Sequence, residues 1–137
     1  MGLEQATLRE IVEKTVNHKW GIPEFQRGFV WTPQKVRDLA DSLWQQFPIG
    51  SFLIWYSSEY AEPRAIRDAL IPDAWIVDGQ QRTTALCVLL GRKPFWWEGG
   101  WNEILDRHDL RFDILADEEP YFSLYTAAMR GPAGRRW

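Results

Sequence analysis

The chain has 137 residues, 45% hydrophobic and 26% charged, with nine Trp, one Cys and a net charge of −3 from 16 basic and 19 acidic residues. This length suits one domain with its own core, and the apolar share excludes a disordered chain. The lone Cys excludes an intrachain disulfide, one Cys with two His opposes a zinc site, and no apolar run approaches the ~20 residues of a membrane span.

The N-terminus lacks the apolar core of a signal peptide, which points to the cytoplasm. Bulk charge offers no attraction for nucleic acid. Any phosphate contact must come from a local cluster of the twelve Arg, which outnumber the four Lys.

Thr7 is placed to cap a short helix, with Glu10 at the capping-box position and Leu8, Ile11, Val12 and Val16 as its apolar stripe. Gly21-Ile22-Pro23 ends it, and the chain is extended through Phe25. A second helix begins at N-cap Thr32 with Pro33 in its first position and runs to about residue 47. Its Val36, Leu39, Ala40, Leu43 and Trp44 recur at helical spacing and are expected to face the core. Residues 51–56 read as a buried strand, and residues 57–74 as a polar connection with one helical turn over 64–70.

A strand over 74–77 leads through Asp78-Gly79-Gln80-Gln81-Arg82 into a central helix over 83–90, closed by Gly91. Residues 94–101, with three Trp and two Gly, read as an irregular loop whose exposed aromatics await a partner. Two strands, 110–115 and 121–125, flank an acidic turn at 117–120. The expectation is an α+β domain over residues 1–130, open to being a fragment of a longer protein, with a tail at 131–137. Trp44, Trp55 and Trp75 are assigned to its core.

Two segments carry chemistry. The strand–Asp78-Gly79-Gln80-Gln81-Arg82–helix turn presents unpaired N–H groups at a helix start, where the helix dipole favours an anion. Gly79 permits the tight turn, Arg82 offers a planar fork for phosphate, and Thr83 and Thr84 add hydroxyls. The plain alternative is that Asp78 caps the helix and pairs with Arg82.

The second segment, residues 22–31, is extended and Pro-stiffened. It delivers Gln26 and Arg27, a second fork that would complete a two-sided anion clamp, and then Phe29 and Trp31, which suit stacking or an apolar pocket. The alternative makes Phe25, Phe29 and Trp31 core anchors and pairs Arg27 with Glu24 or Asp78.

Other residues have simpler roles. His18 sits at a helix end, His108 among charges at the surface, and Cys87 within an apolar helix as a packed thiol. Asp113, Asp117, Glu118 and Glu119 form a solvated turn, and no metal site is assigned.

Together, IPEFQRGFVW at 22–31, FPIGSFLIW at 47–55 and IVDGQQRTTAL at 76–86 resemble the N-terminal domain of GmrSD-type modification-dependent restriction enzymes, also called domain of unknown function 262. That family belongs to the ParB/sulfiredoxin-like superfamily. The resemblance covers roughly residues 7–91, with three motifs in order. It implies a small mixed sheet flanked by helices, and a pocket that binds or hydrolyses a nucleoside triphosphate, with Mg2+ as its candidate companion, to control DNA cleavage in phage defence.

Carried over by residue, Asp78, Gly79, Gln80, Gln81 and Arg82 with Thr83 form the phosphate site, Gln26 and Arg27 complete it, and Phe29 and Trp31 line a DNA or apolar pocket. Asp78, Gln81 and Arg82 are the catalytic candidates. Sulfiredoxins carry a reactive Cys where Gln80 or Gln81 stands, so sulfinic-acid reduction is not expected. ParB proteins place an acidic residue after the turn glycine, where this chain has Gln80, which leaves Asp78 as the carboxylate. An HNH-type nuclease domain or subunit is the implied partner. The alternatives are a non-catalytic sensor of DNA or of a phosphorothioate backbone, and a ParB-like nuclease.

Overall fold

A computed structural model describes residues 2–56 and 71–125. The expected helical turn over 64–70 and the tail lie outside the described residues. Among the described residues, four helices and two small sheets make a mixed α+β arrangement: α1 Leu8–Val16, β1 Trp20–Gly21, α2 Pro33–Trp44, β2 Leu53–Tyr56, β3 Ala74–Asp78, α3 Gln80–Leu90, α4 Trp101–Arg107, β4 Leu110–Phe112 and β5 Phe122–Leu124. A single 3-10 turn, Glu24–Gln26, interrupts the segment expected to be extended.

The chain divides into two compact units, each discontinuous in sequence. The first comprises residues 1–30 and 51–99. Its sheet has the order β1-β3-β2, with β1 parallel to β3 (Trp20 opposite Ala74) and β2 antiparallel to it (Ile54 opposite Ile76, Trp55 opposite Trp75). Helix α1 starts as its capping box dictates, Thr7 and Glu10 satisfying each other's backbone N–H groups. Ile11, Val12 and Thr15 of α1, Ala74 and Ile76 of β3, and Ala85, Leu86, Cys87 and Val88 of α3 are buried. The thiol of Cys87 lies 3.3 Å from the Thr15 hydroxyl, and burial pushes it up to about 11. It is the packed, protonated thiol expected.

Helix α3 starts three residues earlier than the periodicity indicates, at Gln80. Gly79 takes the cap position in the left-handed region (φ 92°), so Gln80, Gln81 and Arg82 form the first helical turn. Strand β2 is not buried. It lies at the sheet edge, and Trp55, assigned to the core, is 53% exposed. Trp75 is half-buried on the central strand.

The second unit comprises residues 31–50 and 100–137. Helix α2 begins as predicted, with Thr32 capping the Lys35 amide and Pro33 in the first turn, but it stops at Trp44 rather than near residue 47. Val36, Leu39 and Ala40 are buried as expected. Trp44 is not a core residue: it is 56% exposed and packs on Phe112 at 4.5 Å between ring centroids. At the end of α2 it meets the short β4–β5 ribbon, whose Phe112 and Phe122 are paired across the strands. Asp41 is buried, and one of its carboxylate oxygens accepts both the Tyr121 and Phe122 amides at 2.9 Å. The expected strands shorten to three residues each, and residues 101–107, beyond the Trp-rich loop, form the unanticipated α4. His108, expected at the surface, is buried at the α4 terminus, where its Nδ1 meets the Ile104 carbonyl at 2.8 Å.

Candidate functional site

The turn between β3 and α3 brings the first unit's motif residues together. Gly79 is necessary there on two counts. Its φ of 92° disfavours any side chain, and a Cβ would lie 2.6 Å from Cδ1 of Phe52. The close approach Gly79 permits is therefore to the Phe52 ring, over which the Arg82 guanidinium also sits, 4.9 Å from the centroid.

The two glutamines of the motif reach the facing segment. Gln80 Nε2 donates to Gln26 Oε1 and to the carbonyls of Ile76 and Val77. Gln81 donates through Nε2 to the Gly28 carbonyl at 2.7 Å and accepts the Val30 amide on Oε1 at 2.9 Å. One amide side chain thus substitutes for a paired strand along residues 28–30. Gln80 and Gln81 thereby tie residues 26–30 to the start of α3, while Arg27 lines a cleft that Arg82 does not.

Asp78 neither caps α3 nor pairs with Arg82. The helix has no side-chain cap, and the exposed Asp78 carboxylate makes no hydrogen bond or ion pair among the described residues. Thr83 is fully buried, its hydroxyl donating to the Gly79 carbonyl at 2.9 Å, so it serves the helix's own first turn. Thr84 does likewise toward the Gln80 carbonyl.

Arg27 is half-buried, and its Nε donates to the Ile22 carbonyl at 2.8 Å. It pairs with neither Glu24 nor Asp78: no carboxylate lies within 4 Å of it among the described residues. Arg27 and Phe29 line a cleft of about 290 Å³ with Glu24, Trp96, Trp97 and Glu98. That size is at the lower end for small-ligand pockets. Phe29 and Trp97 meet edge to face, centroids 6.4 Å apart. Trp96 is 4% exposed, so the Trp-rich loop is not the uniformly exposed patch expected. Phe25, offered as a core anchor, is exposed, and Trp31 lies outside the cleft with Lys35 over its ring at 4.9 Å. Asp78, Gln26 and Arg82 do not line the cleft either.

Glu24 entered the motif reading only as a candidate partner of Arg27, and Trp96, Trp97 and Glu98 escaped it. The only signal for them was the Trp-Trp-Glu run itself, a dense aromatic pair followed by a carboxylate. No cluster of three or more His, Cys, Asp or Glu suited to a metal ion occurs among the described residues. No helix among them is long and apolar enough to cross a membrane.

An uncharacterised protein of Methanocaldococcus jannaschii is 35% identical over 91 residues, covering 58% of this chain. The chain spans only 16% of that relative's length. No solved structure matches. The family model for the GmrSD restriction endonuclease N-terminal domain matches residues 8–127, a span that includes both motifs, the cleft and all four helices. The chain belongs to the GmrSD restriction endonuclease N-terminal domain family.

Proposed function

We propose that this chain is a nucleotide-binding, nucleoside-triphosphate-hydrolysing regulatory domain of a modification-dependent restriction or phage-defence protein, built on a ParB/sulfiredoxin-like plan. The observation that carries the reading is the pinning of residues 26–30 to the first turn of α3 by Gln80 and Gln81. It ties the segment that carries Arg27 to the first turn of α3, a helix start that has no side-chain cap.

The chain's own groups suit phosphate. The first N–H groups of α3 and the positive end of its dipole favour an anion, and Arg82 stands in that first turn. Arg27, whose terminal nitrogens have no carboxylate partner among the described residues, would hold another part of the same nucleotide from the cleft it lines. Asp78, exposed at the end of β3, is the one carboxylate of the turn. It would orient the attacking water or help hold a phosphate-borne Mg2+, an ion that needs few protein ligands. Gln81 is spent on main-chain bonds and acts by positioning. DNA and a nuclease domain or subunit are the partners such a regulator would serve.

Calorimetric titration of the chain with nucleoside triphosphates and Mg2+ tests this. Arg82→Ala and Arg27→Ala should each weaken binding at least tenfold. Unchanged affinity in both variants would remove the proposal.

A further inference from the structure

We infer that the cleft lined by Glu24, Arg27, Phe29, Trp96, Trp97 and Glu98 is a nucleobase subsite, taking a flat ring that bears hydrogen-bond donors and acceptors along one edge. The inference rests on the nucleotide reading above and adds to it Trp96, Trp97 and Glu98, which lie outside both motifs.

The cleft is the wrong place for phosphates. Two carboxylates line it against one guanidinium, and like charge would repel a polyphosphate. Its charged side chains also keep hydrogen-bonding capacity to offer. Arg27 is tethered by Nε alone, so its terminal nitrogens remain a fixed fork of donors. Glu24 and Glu98 are exposed and enter no ion pair or side-chain hydrogen bond among the described residues. A carboxylate is an acceptor only, so each calls for a donor.

A ligand that answers these groups is neutral, flat, and carries acceptors for Arg27 beside donors for the carboxylates. Nucleobases have that edge, and their faces stack on aromatic rings such as Phe29 and Trp97. The volume of about 290 Å³ suits a group of that size and not a folded polymer.

The test separates base from phosphate. Adenosine, guanosine, cytidine and uridine are titrated into the chain by saturation-transfer NMR, with D-ribose as control, and inorganic tripolyphosphate is titrated by calorimetry. At least one nucleoside should bind, and Trp97→Ala and Glu98→Gln should weaken it fivefold or more while leaving tripolyphosphate unchanged. Glu98 is exposed, so its variant keeps the test valid if Trp97→Ala does not fold.

Tripolyphosphate binding without nucleoside binding, with triphosphate affinity unmoved by either variant, overturns the base subsite and leaves the phosphate reading standing. Nucleoside binding that the variants weaken, with no response to tripolyphosphate, keeps the subsite and overturns the phosphate reading. Binding of neither ligand, or of ribose as well as the nucleosides, overturns the subsite.

Discussion

Gln81 holds Val30 as a neighbouring strand would: its side-chain oxygen accepts the Val30 amide at 2.9 Å while its nitrogen donates to the Gly28 carbonyl at 2.7 Å. A residue-to-main-chain clamp of this kind makes the shape of one motif depend on the chemistry of the other. Gln81→Ala should lose both bonds at a cost of about 1–2 kcal/mol, small because the site is solvent-accessible and water replaces the partner. Hydrogen exchange at the Val30 amide, accelerated in the variant, is the direct readout. Gln81→Glu should do no better, since a carboxylate oxygen would then face the Gly28 carbonyl.

Gly79→Ala should destabilise the first unit by more than about 2 kcal/mol, combining backbone strain at positive φ with a Cβ set against Phe52. The two causes can be separated. In a Phe52→Ala background the steric part disappears and only the φ strain remains, so the double variant should be more stable than the sum of the single losses. Urea denaturation of the four proteins measures the difference.

Asp41→Ala should leave the Tyr121 and Phe122 amides without their shared acceptor and cost about 3 kcal/mol in the second unit. Asp41→Asn keeps an oxygen in place and should lose roughly half as much. Exchange rates at those two amides and the thermal midpoint report it.

Glu10 accepts the Thr7 backbone N–H and its carboxyl is thereby held below the ordinary range. A carboxyl lowered by folding stabilises fully above its unfolded value and loses that contribution as pH falls through the lowered one. Protection factors of the amides at the start of α1 should therefore be flat at neutral pH and fall only in acid. Glu10→Gln should blunt the dependence.

Cys87 should resist alkylation. With its thiol pushed up to about 11 by burial, the thiolate is about one part in a thousand at pH 8. Iodoacetamide should label it only in denaturant, as mass spectrometry of the intact chain would show.

The helices that announce themselves are those with local grammar. Thr7 with Glu10, and Thr32 with Pro33, place the starts of α1 and α2 to the residue because capping is decided within one turn. The α3 start is harder to read, since Gly79 caps by conformation and not by a side chain. The fate of the tryptophans is the least legible. Trp44 and Trp55 have the right periodicity for a core, yet a helix end and a sheet edge leave them exposed, and both outcomes depend on neighbours distant in sequence.

The site was legible in halves. The coupling of residues 22–31 with 76–86 follows from two Arg-bearing motifs, and Gln80 and Gln81 realise it. That Glu24 and Glu98 stand with Trp96 and Trp97 around one cleft comes from the fold alone. Nothing in their spacing joins residues more than seventy positions apart.

The interleaving of the two units has a practical consequence for dissecting this domain. The chain passes from one unit to the other after residues 30, 50 and 99, so neither unit can be cut out as a continuous peptide. A truncation at residue 99 would retain α2 but strip it of β4 and β5, baring Val36, Leu39 and Ala40 to water and inviting aggregation. Binding assigned with such a fragment would report a damaged protein. A circular permutant or an intact chain with point substitutions is the sound route, and any protease that nicks the chain once should leave both units held by their remaining segments.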